Sequence, residues 1–364
     1  MWCEHLSFKR IRLDAGFVVR KPNITVVGLG AIGSRFVRNV VSNQDVSCLT
    51  LIDFDRVESK NILTGQNYDL NDVGQFKARA TAKKVTCSHL NVNVFCEHIE
   101  DIPLGSLRDS ILVSCVDNRR SRLRMSQLAF RLGIPFIDAG VNSTEQLIRV
   151  TIYDPSFPGA PCVQCQFGTS DYENLEQVYP CLTSEPVGDN VPRNISAIAA
   201  VFLTDALDRV LNNQHRIGET LFSLNTGRFF QLTSKRSKRC HFNHKKWSSP
   251  IIVSNQTRIL SLLPDKHTTL VSPTSHFVTR VFCSNCSTPT DSILRIYNRL
   301  GSMGKCEKCG SHNIQSAFFC FEEISSAHLM EAAPLHSLGL EHNDIILVRS
   351  PEREDTAYQI EDTK

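Results

Sequence analysis

The stretch from Ile24 to Lys77 constrains the fold more than any other. Ile-Thr-Val-Val (24–27) reads as a short buried strand. Gly28, Gly30 and Gly33 come next at the spacing G-x-G-x-x-G, and Phe36, Val37, Val40 and Val41 continue at helical spacing. Gly28 permits a tight turn, Gly30 lets a phosphate approach the backbone, and Gly33 lets helix and strand pack closely. The free N–H groups of the helix start therefore face an anion. A second apolar strand, 48–52, ends in Asp53, 20 positions past Gly33, where an acid suits a ribose hydroxyl. Alone, this pattern favours a dinucleotide dehydrogenase.

The residues beyond Asp53 change that reading. Asp53-Phe-Asp55-Arg-Val57 leads into Asn61 and then Val73-Gly74-Gln-Phe-Lys77, and later Asp117-Asn118 closes another apolar strand. The order D-x-D-x-V, N, V-G-x-x-K and D-N resembles the ATP-binding domain of the ubiquitin-activating-enzyme superfamily, which includes the ThiF and MoeB-type adenylyltransferases. The resemblance covers roughly residues 8 to 245.

The coarse pattern agrees. Strands near 24–27, 48–52, 92–96, 111–115, 134–137 and 147–152 alternate with helices near 31–42, 74–88 and 119–132. This alternation predicts an α/β fold with a doubly wound, mostly parallel, Rossmann-like sheet. A helix over 194–211 and strands near 220–224 and 228–233 close an adenylation domain expected to span 1–245, with a crossover loop at 168–193. Residues 246–275 read as a polar linker, 276–322 as a zinc ribbon, and 323–364 as a small α/β tail and candidate docking element for a partner.

A formal charge of +3 and a charged fraction of 21% do not call for nucleic acid, and the one dense basic run, Lys235 to Lys246, reads as a solvated face. No signal-peptide pattern and no apolar run of membrane-spanning length is present, so a cytoplasmic protein is expected.

Fourteen cysteines in a long chain without such a signal argue for metal and catalysis rather than disulfides. Cys283-x-x-Cys286 and Cys306-x-x-Cys309, with 19 residues between the pairs, have zinc-ribbon spacing and fill all four positions of a structural site. Cys162-x-x-Cys165 begins a second cluster. In the resembled family such a pair joins another near the end of the domain, which implies Cys240 with one of His241 and His244 as zinc ligands. His244 is preferred, because adjacent ligands strain tetrahedral geometry, and Asn243 stands where a cysteine would be expected.

The resemblance implies ATP-dependent activation of a protein's C-terminal carboxylate. Gly28, Gly30 and Gly33 would form the phosphate turn, and Asp53 would hold the ribose with Asp55 as polar support. Lys77 would lie along the phosphates, Asp117 would ligate Mg2+ beside Asn118, and Asn61 would contact the nucleotide or fix its loop. Arg10, with Arg12 as rival, resembles an arginine that reaches the γ-phosphate of a partner subunit, which implies a homodimer. The family arginine three residues past the motif asparagine is replaced by Thr64, so phosphate contact would pass to Arg122 or Lys60.

Cys181, in Tyr-Pro-Cys-Leu-Thr (179–183), belongs to neither zinc set and looks like the thioester-forming cysteine of the compact activating enzymes for ubiquitin-like modifiers. Sulfur-carrier adenylyltransferases end soon after the second zinc pair, whereas this chain continues through another zinc module, which suits docking of a conjugating enzyme. The expected function is that of a bacterial-type activating enzyme for a ubiquitin-like modifier, placed in an operon-encoded defence pathway by analogy alone. Sulfur-carrier adenylation and an inactive scaffold subunit are the alternatives.

Overall fold

The computed structural model describes residues 22–43, 46–63, 66–85, 90–173, 194–278, 281–289, 295–296, 306, 308–311, 314–316, 320–326 and 333–362. The first half alternates β1 (Asn23–Val27), α1 (Gly33–Asn43), β2 (Cys48–Ile52), α2 (Ser59–Leu63), α3 (Lys77–Val85), β3 (Asn91–Phe95), β4 (Ser110–Ser114), α4 (Arg119–Leu132), β5 (Phe136–Asn142) and β6 (Leu147–Tyr153). After α5 (Thr169–Glu173) and α6 (Asn194–Leu211), β7 (Gly218–Ser223) and β8 (Arg228–Thr233) complete an eight-stranded sheet in the order β3-β2-β1-β4-β5-β6-β7-β8. The pairs from β3 to β5 are parallel, and those from β5 to β8 are antiparallel. The expected doubly wound, mainly parallel α/β sheet is present.

Apolar alternation decides which face each helix covers. Ile24 and Val26 on β1 and Leu49 and Leu51 on β2 point to one side, where they pack with Phe36, Val37 and Val40 of α1 and Ile195, Ala199, Leu203 and Leu207 of α6. Each fully buried Val, Leu, Ile or Phe side chain among these contributes roughly 1.5–3 kcal/mol. Val27, Ile52 and Leu112 serve the opposite face with Met125, Leu128 and Ala129 of α4. Asn118 starts α4 by accepting a 2.7 Å bond from Ser121 N, and Gly133 ends it at φ 71°, a left-handed position that suits glycine.

Residues 246–275, expected to be a linker, carry β9 (Ile251–Ser254) and β10 (Thr269–Val271) instead. These join β16 (Glu323–Ser325), β17 (Ile345–Ser350) and β18 (Arg353–Glu361) in a second sheet, ordered β16-β10-β17-β18-β9. The correction has a physical reason: β9 pairs in parallel with β18, so its partner lies about 100 residues away and leaves no local signal. The cysteine-rich strands β11 (Phe277–Val278), β12 (Val281–Cys283), β13 (Arg295–Ile296), β14 (Ile314–Ser316) and β15 (Cys320–Phe321) are thus an insertion between β10 and β16.

The second sheet does not stand apart. Ile345, Leu347 and Ala357 are buried in the same cluster as Met125, Leu128, Ile102, Leu104 and Leu107, so the sheet helps cover the α4 face. Arg108 Nη1 donates to Gln359 Oε1 at 2.6 Å, and Gly105 N donates to Asn343 O at 2.8 Å, fixing the contact. Among the described residues, no helix is long and apolar enough to cross a membrane.

Candidate active site

The carboxyl ends of β1, β2 and β4 open into a cleft of about 480 Å³. It lies where the order of parallel strands reverses, the place such sheets offer a ligand. Gly28 holds φ 85°, and a Cβ there would come within 2.8 Å of Cys115 O. A Cβ on Gly33 would lie 2.0 Å from Gly28 O, so both glycines are required for packing. At Gly30 a Cβ would meet nothing within 4 Å, which leaves the turn open above the start of α1. Those are the cradle features a phosphate needs.

Asp53 lies at the end of β2. Its Oδ2 accepts from Leu29 N at 2.6 Å and its Oδ1 from Asp55 N at 2.8 Å, so one carboxylate ties the glycine turn to the β2 loop. Burial pushes its pKa up to about 6 against the opposing pull of Lys77 and the two backbone donors. Lys77 opens α3 and is buried, with Nζ 2.8 Å from Asp55 Oδ2. Asn61 is also buried, and its Oδ1 accepts from Glu58 N at 2.8 Å; that bond fixes the loop. Lys60 lines the cleft and pairs with Glu58 at 2.9 Å. Asp117 lines the cleft and is exposed, and Asn118 is the cap of α4.

The structure brings Gly28, Gly30, Asp53, Asp55, Lys60, Asn61, Lys77, Asp117 and Asn118 to one cleft lining. Arg122 is not part of it. Its Nη1 donates to Asp138 Oδ2 at 2.8 Å and its Nη2 to Val116 O at 2.5 Å, and Arg149 donates to the same Asp138 oxygen. Arg122 thus belongs to a buried charge cluster across β5 and β6. Arg10, Arg12, Thr64 and Cys181 lie outside the described residues.

Sequence reasoning missed two features of the cleft. Phe54, 49% exposed, stacks on His98 with ring centroids 3.8 Å apart at its lining, a pairing that needs β2 and β3 side by side. Gln66 also lines it, and its buried Oε1 has no hydrogen-bond partner. That oxygen is an acceptor open to a donor from water or a bound group.

Both cysteine clusters assemble. Cys162 Sγ lies 3.9 Å from Cys165 Sγ and 3.6 Å from Cys240 Sγ, and His244 Nε2 lies 3.1 Å from Cys165 Sγ. In the ribbon, Cys283 and Cys309 are 3.5 Å apart and Cys286 and Cys306 3.7 Å. Zinc–sulfur bonds of about 2.3 Å set the sulfurs of a tetrahedron about 3.8 Å apart, so both donor sets fit zinc. The four ligand atoms of each set lie within 4.8 Å of one another. His241 is outside the first set and stacks on Tyr172 at 4.9 Å.

Among known proteins, the chain is 26% identical over 162 residues to an adenylyltransferase and sulfurtransferase uba4 from Neosartorya fischeri, covering 43% of this chain and 32% of that one. It is 22% identical over 211 residues to ubiquitin-like modifier-activating enzyme 5 from Aedes aegypti, covering 53% and 52%. Among solved structures, E. coli MccB with ATP is similar at 18% identity and a TM-score of 0.48, over 61% of this chain and 66% of that one. The chain spans about a third of the first relative and about half of the second. Residues 3–251 match the ThiF family, and the protein belongs to that family.

Proposed function

We propose that the protein uses ATP to adenylate the C-terminal carboxylate of a ubiquitin-like protein. The observation that carries this reading is the convergence of Gly28, Gly30, Asp53, Lys77 and Asp117 on one cleft. A carboxylate and a triphosphate repel one another, so a site that joins them must offset phosphate charge and orient both groups. In this reading the open turn at Gly30 receives phosphate, Asp53 accepts a ribose hydroxyl, and Lys77 turns from Asp55 to the phosphates. Gln66 Oε1 takes a hydrogen bond from the bound nucleotide. Mg2+ would be held by Asp117 and would supply further charge compensation. Arg10 of a second subunit would complete the site, which makes the working form a homodimer.

A carboxylate oxygen of the modifier attacks the α-phosphorus and pyrophosphate leaves. The Cys181 thiolate then attacks the acyl carbon of the mixed anhydride, AMP leaves, and a thioester is formed for transfer to a conjugating enzyme. The name of the Aedes aegypti relative, a ubiquitin-like modifier-activating enzyme, supports a ubiquitin-like modifier as the protein that is activated. The name of the Neosartorya fischeri relative supports a second reading, in which the adenylated protein is a sulfur carrier. Both zinc sites are structural in either case, since each would be closed by four protein ligands.

The test is a non-reducing gel with a ubiquitin-like protein that supports ATP–pyrophosphate exchange. Cys181→Ala should keep exchange and lose the thiol-sensitive band. A band that persists in the variant moves the nucleophile elsewhere, and no band in the wild type favours the sulfur-carrier reading.

A further inference from the structure

The run from Thr220 to Pro264 holds eight Lys or Arg residues and no Asp or Glu, in a chain with nearly balanced charge overall. Part of this excess borders a groove that the nucleotide cleft does not use. Between α4 and the second sheet lie two cavities of about 680 and 660 Å³, which share Arg124, Gln127, Pro273 and Arg349 in their linings and so form one elongated groove. Glu100 lines both its near end and the nucleotide cleft.

The far cavity is lined by six cations, Arg124, Arg131, Lys245, Lys246, Arg349 and Arg353, against two carboxylates, Glu354 and Asp355. Arg349 is balanced by Glu323 and Asp355. Arg124 and Arg131, two turns apart on α4, donate instead to main-chain carbonyls, those of Pro273 and Lys245. Neither bond cancels a charge. Burial depresses the pKa of both guanidiniums and outweighs the attraction of Glu100 for the first and Asp355 for the second, so these cations are under-compensated. Lys246 and Arg353 are exposed and make no ion pair among the described residues. Leu128, Val271, Leu347 and Trp247 give the same lining an apolar part, with Trp247 next to Lys246 in the chain.

We infer that this groove binds an extended acidic peptide segment of a partner protein, its carboxylates facing Lys246 and Arg353 and an apolar side chain against Trp247. Elongation suits an extended chain. The near cavity is balanced, with Glu100, Glu322 and Glu323 facing Arg120, Arg124 and Arg349, so it is the surplus of positive charge in the far cavity that selects acidic residues there. Glu354, within the same lining, opposes an unbroken phosphate backbone while leaving room for a peptide of mixed character. The groove lies between α4 and the second sheet and shares only Glu100 with the nucleotide cleft, so this inference stands independently of the adenylation reading.

Trp247 supplies the probe. The chain has two tryptophans, so Trp2→Phe leaves Trp247 as the only tryptophan, read by excitation beyond the tyrosine absorption band. The full-length protein in this background is titrated with a Glu/Leu-rich peptide, its Lys/Leu counterpart, inorganic pyrophosphate and oligothymidylate. The acidic peptide should give a saturable emission change that weakens with salt and falls about tenfold in affinity in Lys246→Glu/Arg353→Glu. Lys246→Arg/Arg353→Lys should bind as the parent does, and unchanged zinc content in both variants establishes that the fold is kept. The inference is overturned by no saturable response, equal binding of the basic peptide, unchanged affinity in the charge-reversed variant, or tighter binding of pyrophosphate or oligothymidylate at the same site.

Discussion

Lys77 Nζ lies 2.8 Å from Asp55 Oδ2, with the lysine side chain 11% exposed and the carboxylate 50% exposed. A nearly buried cation is thus held by an acid that faces water, and a phosphate arriving in the cleft can replace that acid at modest cost because the carboxylate is readily rehydrated. Lys77→Ala is expected to weaken ATP binding by at least about tenfold, the order of effect for removing a buried charge partner. Asp55→Asn should change it only a few-fold, because Lys77 stays. Calorimetric titration with ATP checks both, and equal losses in the two variants would show that Asp55 itself meets the nucleotide.

Asp53 predicts opposite pH trends for binding and for stability. Its folded pKa is raised to about 6 from 3.8, so protonation favours the fold: the stabilisation is fully present below about 3.8 and lost as pH rises through about 6. The amount is on the order of 3 kcal/mol for a shift of about two units. A ribose hydroxyl needs the ionised acceptor, so ATP affinity should rise over the same window. Asp53→Asn should flatten both profiles. Parallel trends in affinity and melting temperature would remove Asp53 from the ribose site.

The two cysteine clusters predict about two zinc ions per chain by metal analysis, each held by four protein atoms that lie within 4.8 Å of one another. Cys283→Ser should lower the count by one while ATP affinity stays within about twofold, because the ribbon is an insertion in the second sheet rather than part of the cleft. Loss of ATP binding with the ribbon zinc would mean that the insertion supports the cleft.

Leu347 is buried on β17 against the α4 face. Leu347→Ala should cost about 2–5 kcal/mol, as buried leucine truncations do. Because the second sheet shares that core, unfolding should remain one transition in calorimetry. Separate transitions for the two sheets would restore the linker reading of residues 246–275.

The strand, glycine turn and helix from Ile24 to Val41 were legible because each is specified locally: alternating burial, a backbone that rejects a Cβ, and helical spacing. Asp53, Lys77 and Asp117 were legible by their motif order. Features set by distant pairing were not. Arg122 meets Asp138 across α4 and β5, Phe54 meets His98 only when β2 and β3 lie side by side, and β9 finds β18 about 100 residues on. The resemblance implies Cys240 with a histidine, coordination geometry prefers His244 over His241, and His244 is the ring within reach of Cys165.

The measurement that bears most directly on adenylation is ATP–pyrophosphate exchange with small ubiquitin-like proteins that end in a free glycine, run on the wild type and on Asp117→Ala. Asp117 is exposed at the cleft and outside both buried cores, so its loss should leave the fold intact. Exchange should appear in the wild type with one such protein and fall by at least about a hundredfold in Asp117→Ala, the scale for removing a charge that holds the transferring phosphates. Near-wild-type exchange in the variant, or a wild type that binds NAD and not ATP, would contradict an adenylation site in this cleft.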